Sequence, residues 1–315
     1  MPEERLNRYI SRAAGVSRRT ADEMIRMGRV TVGGRQALDP GTLFDPGRKE
    51  ARIDGNAVVA AEDEKIYVMA FKPDNVVTTM RDKEGRKTAA SLVGDLATRV
   101  FPVGRLDYHT TGLLLFTNDG DLAYKLTHPK FGIEKTYLAK VMGVPTPGRL
   151  GVLRRGLPID GEMTNPAQVT FLEAREGKAW VAIRIAEGRY HQVRKMFDAI
   201  GHRVMKLRRT AIGNLDLADV EPGAWRYLTG KEVRELFAYV EEREREARGK
   251  RSVTVGEMKE AQARLEKFRR PRPRAGAASD KPAPKTPDGE RKGPRQPKPA
   301  WKRGGGRRSF SRRGR

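Results

Sequence analysis

The sequence predicts an α+β protein in three parts: a small N-terminal unit (residues 1–62), a main domain (63–246) on a mixed, mostly antiparallel sheet, and a basic tail (247–315). Two observations predict the folded parts. Short apolar runs between turn residues indicate strands, and a few longer stretches carry apolar side chains at helical spacing. Both patterns stop near residue 246, which predicts that the tail is disordered.

The N-terminal unit begins with two short predicted helices. Gly15 ends the first helix, Ser17 is a favourable N-cap for the second, and Gly28 ends the second. A hairpin is indicated later by the Asp54-Gly55 pair between two short apolar runs. The apolar helix positions recur at helical spacing; they are Leu6, Tyr9, Ile10 and Ala13 in the first helix and Ala21, Met24 and Ile25 in the second.

The main domain alternates short strands with a few helices. One helix is predicted over residues 189–200 and ends at Gly201. A last helix begins at Thr229, which forms a Thr-x-x-Glu capping box with Glu232. Such an alternation is typical of an α+β domain. The predicted strands span residues 65–71, 113–116, 135–141, 168–172 and 180–185.

Charge identifies the class of partner. The chain carries 64 Lys and Arg against 40 Asp and Glu, a net charge of +24. Residues 269–315 hold 17 basic and 3 acidic side chains, so they account for +14 of this charge and leave the folded part basic as well. A strongly basic chain attracts polyanions without any sequence recognition. We expect the tail to add non-specific RNA affinity.

Several classes of site are excluded or disfavoured. The absence of cysteine excludes disulfides, thiol nucleophiles and thiolate metal sites. The four histidines show no zinc-binding spacing, so no metal is expected. No apolar run is long enough to span a bilayer, and the N-terminus lacks the apolar core of a secretory signal. We therefore expect a cytoplasmic protein without a membrane partner.

Residues 104–120, GRLDYHTTGLLLFTNDG, form the most informative stretch. They place Asp107 in a loop near Arg105, directly ahead of an apolar run that must be buried. A single loop aspartate is most often a turn or cap residue. A charge at the edge of a core, however, costs free energy unless it is paired or used. This position favours a functional carboxylate.

Arg18 and Arg19 lie in the first turn of the second helix, where the helix dipole disfavours cations. They are either ordinary surface charges or a clamp for a phosphate docked at the helix N-terminus. Charge alone leaves both interpretations open. Three segments resemble the S4 RNA-binding domain, and this resemblance implies RNA contacts by Arg18, Arg19, Arg26 and Arg29; the segments are residues 4–10 (ERLNRYI), 17–21 (SRRTA) and 28–34 (GRVTVGG).

The main domain resembles the pseudouridine synthases that act on bacterial ribosomal RNA. Besides residues 104–120, the segments that carry the resemblance are 134–137 (EKTY) and 187–196 (EGRYHQVRKM). The family usually has Lys-Pro-x-Gly near the start of the domain, where this chain has Asn75 after Lys72, Pro73 and Asp74. Asn tolerates a positive φ best among the non-glycine residues, so the same turn is expected.

The resemblance implies an isomerase that exchanges the N-glycosidic bond of uridine for a bond to C5 of the same base. The exchange is downhill, so no cofactor is expected. Asp107 matches the family carboxylate that stabilises the ribose as the base detaches. Tyr137 matches a tyrosine that stacks on the base and helps remove the C5 proton. Arg194 matches the partner of the aspartate, which we expect to hold the carboxylate through a bidentate pair.

The remaining expected site residues are RNA contacts. Arg105 matches the residue that fills the gap left by a flipped base, and a phosphate clamp is the alternative. Lys135 and Arg189 are also expected to contact RNA. The implied partner is ribosomal RNA, as a large-subunit stem-loop or a pre-ribosomal particle, bound by a monomer. The long basic tail favours the large subunit over the small subunit.

Two other functions compete with this interpretation. In the first, the N-terminal unit and the tail bind RNA during ribosome assembly and the main domain is inactive; the intact set of Asp107, Tyr137 and Arg194 argues against it. In the second, the protein is an N-glycosidase that releases uracil; Tyr137 argues against that. His191 and Gln192 are expected only to hold the loop ahead of their helix.

Overall fold

The structure is a computed structural model that describes residues 3–60, 64–217 and 219–247. The tail that the sequence predicts to be disordered lies outside the described residues from position 248 onward. The helices are α1 (Leu6–Ala13), α2 (Arg18–Arg26), α3 (Gly120–Thr127), α4 (Pro147–Arg155), α5 (Gln192–Ala199) and α6 (Gly230–Ala247). No helix of the described part is long and apolar enough to cross a membrane.

The described residues also form seventeen strands. They are β1 (Glu4–Arg5), β2 (Val30–Val32), β3 (Arg35–Gln36), β4 (Leu43–Phe44), β5 (Ala51–Ile53), β6 (Asn56–Val58), β7 (Tyr67–Lys72), β8 (Phe101–Pro102), β9 (Thr110–Thr117), β10 (Lys135–Met142), β11 (Pro158–Ile159), β12 (Glu162–Met163), β13 (Gln168–Arg175), β14 (Lys178–Ile185), β15 (Val204–Ile212), β16 (Leu215–Asp216) and β17 (Trp225–Tyr227).

The N-terminal unit folds as its sequence predicts. Helices α1 and α2 pack their apolar faces on the sheet β3-β2-β5-β6, and Leu6, Ile10 and Ile25 are fully buried between them. The hydroxyl of Ser17 accepts a hydrogen bond from the amide of Thr20, which confirms the predicted N-cap of α2. The β5–β6 hairpin turns at Asp54 and Gly55, both with positive φ.

One large sheet organises the main domain. In the described residues it holds nine strands, with β13-β14-β10-β15-β9-β7-β17 in order and β16 and β8 paired at β15 and β9. Every pair is antiparallel except β9 with β15, which confirms a mixed, mostly antiparallel sheet. The parallel pair β9–β15 joins the two halves of this sheet.

Each half of the sheet has its own core. The first half, β13-β14-β10-β15, packs on α4 and α5, with Phe197 and Val181 fully buried. The second half, β9 and β7, packs on α3 and α6. Its other face is covered by the connection between β7 and β9, where Leu106 and Val76 are buried. The loop that carries Asp107 therefore lies at the seam between the two halves.

Gly112 makes this seam possible. It has a φ of +105° in β9 and lies opposite Arg209 of β15. A Cβ at this position would lie 2.1 Å from the carbonyl oxygen of Arg209 and 2.9 Å from its amide nitrogen. Only glycine allows the two backbones to approach this closely.

Several details differ from the sequence prediction, which also lacks helix α4 and the short strands β8, β11, β12, β16 and β17. Helix α5 begins at Gln192 instead of residue 189, because His191 adopts the left-handed conformation and the preceding residues form a loop. Strand β15 was not predicted, because Lys206, Arg208 and Arg209 interrupt its apolar pattern. The start of α6 is as predicted: the amide of Thr229 donates to Glu232, whose own amide donates to the hydroxyl of Thr229.

We predict that Gly112→Ala lowers the free energy of unfolding by about 3 kcal/mol or more, since the Cβ adds both a backbone clash and an unfavourable φ. Denaturant unfolding followed by circular dichroism measures this. Gly120→Ala is the matched control: Gly120 has open space around its Cβ position at the start of α3, so stability should stay equal or rise. Equal stability of both variants would contradict the close approach at the seam.

Candidate active site

A cleft of about 250 Å³ opens at the seam of the sheet. This volume is slightly below the usual range for ligand pockets, about 300–1,000 Å³, and suits one nucleoside-sized group. Three parts of the chain line it: residues 103–107 before β9, residues 185–193 before and at the start of α5, and side chains of the adjacent strands β10 and β15, namely Lys135, Tyr137, Leu207, Arg209 and Ile212.

Asp107 lies in this cleft with its carboxylate 31% exposed. Its backbone carbonyl accepts a hydrogen bond of 3.0 Å from the amide of Thr110, which closes a turn. One carboxylate oxygen is 3.6 Å from Nε2 of His191, and the other is 3.5 Å from the hydroxyl of Thr110. Neither contact is a short hydrogen bond. The carboxylate is therefore positioned by its backbone and open to a ligand.

The backbone that follows Asp107 is held by a buried lysine. Lys72 is fully buried at the end of β7, and its ammonium donates to the carbonyls of Tyr108 at 3.3 Å and Thr110 at 2.8 Å. It also donates to the carbonyl of Pro73 at 3.0 Å. A buried ammonium needs such acceptors because its charge has lost its water. Lys72 thus fixes both sides of the turn that carries the carboxylate.

The pKa of Lys72 reflects this burial. Desolvation is the main cause that lowers this pKa, the carboxylates of Asp74 and Asp107 raise it, the charge of Arg209 lowers it, and the net value is about 8. The expected turn after Lys72 is confirmed, since Asn75 has a φ of +59°. The amide of Asn75 donates to the carbonyl of Tyr108 at 3.1 Å. The segment after β7 therefore supports the Asp107 loop with both backbone and side chain.

Arg194 lies beside the same loop, but it does not pair with Asp107. Its guanidinium donates to the carbonyl of His109 at 2.9 Å and to the carbonyl of Val204 at 3.3 Å. Within the described residues the only ion pair of Asp107 is with His191. The expected bidentate pair is therefore wrong for this structure, because backbone carbonyls of the loop and of β15 occupy the guanidinium.

Tyr137 and Arg209 are neighbours across β10 and β15 and both line the cleft. Tyr137 is half-buried and packs against the cores on both sides of the seam. Arg209 is buried at 4% exposure; its Nε donates to the carbonyl of Leu113 at 2.8 Å. In the described part of the chain its Nη2 is the one buried side-chain nitrogen or oxygen without a hydrogen-bond partner. A bound group could satisfy it.

Lys135 is a second cation with a lowered pKa in the cleft. Desolvation, and then the charge of Arg209, lower the pKa of Lys135 to about 8. Lys135 is half-buried at the start of β10. Arg105 also lines the cleft; it is exposed and makes no hydrogen bond or ion pair within the described residues. A cleft with several cations around one carboxylate suits an anionic ligand.

The loop before α5 is fixed by a buried carboxylate. Glu187, 6% exposed, accepts hydrogen bonds from the amide of Asn165 at 2.9 Å and from Nε2 of Gln192 at 2.6 Å. Oε1 of Gln192 accepts from the amide of Arg189 at 3.0 Å, so its expected role in the loop agrees with the structure. Arg189 itself donates to the carbonyls of Glu162 and Met163, so this side chain is engaged within the protein.

The expected RNA contacts of the N-terminal unit lie outside the cleft. Arg18, Arg19 and Arg26 are exposed on α2 and make no ion pair within 4.0 Å among the described residues. Arg29 is exposed too, but its guanidinium pairs with the carboxylate of Asp54 at 2.5 Å. Three of the four arginines are thus available to phosphates in this structure.

Sequence reasoning missed three residues of the site. Lys72 is interpreted from the sequence only as part of the Lys-Pro motif, although a lysine at the end of a buried strand already indicates a buried charge that needs acceptors. His191 was assigned a purely structural role, and its contact with Asp107 depends on its left-handed backbone. Arg209 gave no signal, because only the register of β15 beside β10 brings it next to Tyr137.

Two family models match the chain. Residues 4–49 match the S4 domain and residues 66–199 match the RNA pseudouridylate synthases. The second match includes Asp107, Tyr137 and Arg194, and ends before Arg209. Both matches confirm the resemblances that the motifs indicated.

Individual relatives extend the match over most of the chain. Ribosomal large subunit pseudouridine synthase B of Bacillus subtilis is 40% identical over 237 residues, which cover 75% of this chain and 96% of that protein. The enzyme of the same name from Vibrio cholerae is 35% identical over 273 residues, 85% of each chain. A crystal structure of a pseudouridylate synthase, 31% identical, superposes with a TM-score of 0.54 over 74% of this chain and 99% of that one. On this similarity the chain belongs to the RNA pseudouridylate synthase family, with an N-terminal S4 domain.

Proposed function

We propose that this protein converts a specific uridine of large-subunit ribosomal RNA to pseudouridine, with Asp107 as the residue that acts on the ribose. The carrying observation is the carboxylate of Asp107, partly exposed in a nucleoside-sized cleft that Tyr137 also lines. The named relatives act on the large ribosomal subunit, and the net charge of +24 suits an RNA partner. Because ribosomal RNA is the substrate, we place the protein in the cytoplasm, and because one chain builds the cleft, we propose a monomer.

The reaction follows from the groups that face the cleft. A uridine inside folded RNA must first leave its stack to reach a recessed carboxylate. The bond between N1 and C1′ then breaks, and the Asp107 carboxylate stabilises the ribose as nucleophile or counter-charge. The base turns and C5 bonds to C1′. The C5 proton departs with the help of Tyr137, and N1 takes up a proton, so the product is an isomer of the substrate.

The cations of the cleft serve the detached base and the backbone phosphates on either side of its ribose. We propose that Arg209, with its unpaired Nη2, is the guanidinium that faces the substrate, whereas Arg194 positions the Asp107 loop through the carbonyl of His109. Lys135 supplies a further donor. Arg105 fills the gap left by the flipped base, and the free arginines of α2 hold more distant phosphates.

The proposed role of Asp107 predicts that Asp107→Asn removes pseudouridine formation while RNA binding persists. The rate should fall by about 10⁴-fold or more, as for other residues that act directly on the reacting atoms. Carbodiimide-dependent primer extension maps pseudouridine in ribosomal RNA from a deletion strain complemented with each variant. Asp216→Asn, an exposed carboxylate on β16, is the control and should restore the modification.

The same map separates the competing functions. A single position lost from large-subunit RNA and restored by the wild-type chain supports the proposal. A position lost from small-subunit RNA would shift the substrate to that subunit. Unchanged modification in the deletion strain, or restoration by Asp107→Asn, would contradict the enzymatic role and leave an RNA-binding assembly factor.

The contacts of Arg194 predict a positioning role. Arg194→Lys keeps one charge but can reach only one of the two carbonyls, so the turn that carries Asp107 should shift. We expect the single-turnover rate to fall by about 10- to 100-fold, the cost of an active-site displacement near 1 Å. RNA affinity should stay unchanged in a filter-binding assay. Arg203→Lys, at an exposed position just before β15, is the control. A weaker affinity with an unchanged rate would contradict this role.

The lowered pKa of Lys135 predicts an alkaline fall in kcat/KM. The free protein loses this proton as pH rises through about 8, and with it one charge-assisted hydrogen bond, so kcat/KM should fall by about tenfold or more. In Lys135→Met the alkaline fall in kcat/KM should be smaller, because only the deprotonation of Lys72 then contributes to it. Lys140→Met, on the same strand but outside the cleft lining, should keep the wild-type profile. Identical profiles for wild type and Lys135→Met would refute the role of this ammonium.

A further inference from the structure

Tyr190 is an exposed aromatic ring at the rim of the cleft. Its side chain is 65% exposed, more than any other aromatic residue in the described part of the chain, and it lines the cleft that contains Asp107. A single exposed aromatic residue is common on protein surfaces, but at the rim of a cleft its ring offers a flat surface on which a base can stack. The proposed mechanism above leaves this ring without a role.

The ring is held in one orientation. It stacks on His191 with 4.0 Å between ring centroids and 14° between the planes. His191 has a φ of +54°, a left-handed backbone conformation that is unfavourable for a non-glycine residue. The hydrogen bonds of buried Glu187 and Gln192 keep the loop in this shape. Strain maintained by a buried network at the rim of a site favours a ring that is preorganised for a ligand.

The surroundings of Tyr190 indicate the chemistry of that ligand. The ammonium of Lys195 lies 5.4 Å from the centroid of the ring and is paired with the carboxylate of Asp160 at 2.5 Å, and the exposed Arg105 lines the same cleft. An aromatic surface among cations is the arrangement that binds a nucleotide, because the base stacks on the ring and its phosphate meets the positive charge. An acidic peptide would use the cations but leave the ring exposed.

The stacked rings of Tyr190 and His191 also lie close to the proposed catalytic carboxylate of Asp107. His191, beneath Tyr190, brings Nε2 to 3.6 Å from a carboxylate oxygen of Asp107. Resting on the proposed function, we propose that Tyr190 and His191 form a stacking platform for the base adjacent to the flipped uridine. Because His191 contacts both the Tyr190 ring and Asp107, the preorganised platform holds that base at a fixed position relative to the carboxylate.

The platform is tested on a synthetic RNA hairpin that carries the uridine found by the mapping experiment. Two further hairpins replace the nucleotide on either side of this uridine by an abasic ribose. The protein variants are Tyr190→Leu, which removes the ring, and Tyr190→Phe, which keeps it. Tyr227→Leu, an exposed aromatic on β17 that does not line the cleft, is the matched control. Equilibrium binding gives each Kd, and single-turnover kinetics give each rate.

One base–aromatic stack corresponds to about a 5- to 150-fold change in Kd. We expect Tyr190→Leu to weaken binding of the intact hairpin by a factor in this range, and Tyr190→Phe to bind like the wild type. On one of the two abasic hairpins the wild type should lose the same factor, and Tyr190→Leu should cause no further loss. This non-additivity is the signature of a direct contact, which a merely structural role of Tyr190 would not produce.

Two results would overturn the platform. Tyr190→Leu could weaken all three hairpins by the same factor, or it could bind the intact hairpin as tightly as the wild type does. Failure of the proposed function is distinct, because it appears already in the mapping experiment as unchanged modification in the deletion strain. Matching thermal unfolding of Tyr190→Leu and Tyr190→Phe would show that the comparison concerns RNA and not folding.

Discussion

The geometry of the site depends on the ammonium of Lys72, which is buried at the end of β7 and bound to three backbone carbonyls. A charge without water is costly, so it requires those carbonyls at fixed positions. Two of them flank His109 in the turn after Asp107, and the carbonyl of His109 itself is held by Arg194. The carboxylate is therefore positioned by cations that contact its backbone, while its own oxygens remain open toward the cleft.

The cleft exists because two halves of one sheet meet through a parallel pair of strands. Each half is stabilised by its own helices, and Gly112 lets the backbones of β9 and β15 approach. The first half contributes Tyr137, Arg209 and the loop before α5, and the second contributes the Asp107 loop. A relative shift of the two halves would separate these groups. Tyr137 packs against the cores of both halves, at the boundary between them.

The charge distribution links this local geometry to the substrate class. The partly exposed carboxylate of Asp107 shares its cleft with Lys135 and Arg209, and the buried Lys72 binds the backbone of the loop that follows it; burial lowers the pKa of both lysines to about 8. Such an arrangement disfavours an empty site and favours a polyanion that brings phosphates to the cations. The same carboxylate meets His191 beneath the exposed ring of Tyr190. The two stacked rings therefore lie between the rim of the cleft and the carboxylate.

The sequence by itself determined the elements whose signals are local: the caps at Ser17 and Thr229, the positive φ of Asn75, and the strands that run on apolar side chains. It also determined the family, because long motifs keep their residue types. Only the tertiary structure decided which cations lie in the same cleft as the Asp107 carboxylate. Strand register places Arg209 beside Tyr137. Arg194 donates to a backbone carbonyl of the loop instead of pairing with the Asp107 carboxylate. Such pairings arise between residues about 70 to 100 positions apart, where no local pattern in the chain records which groups meet.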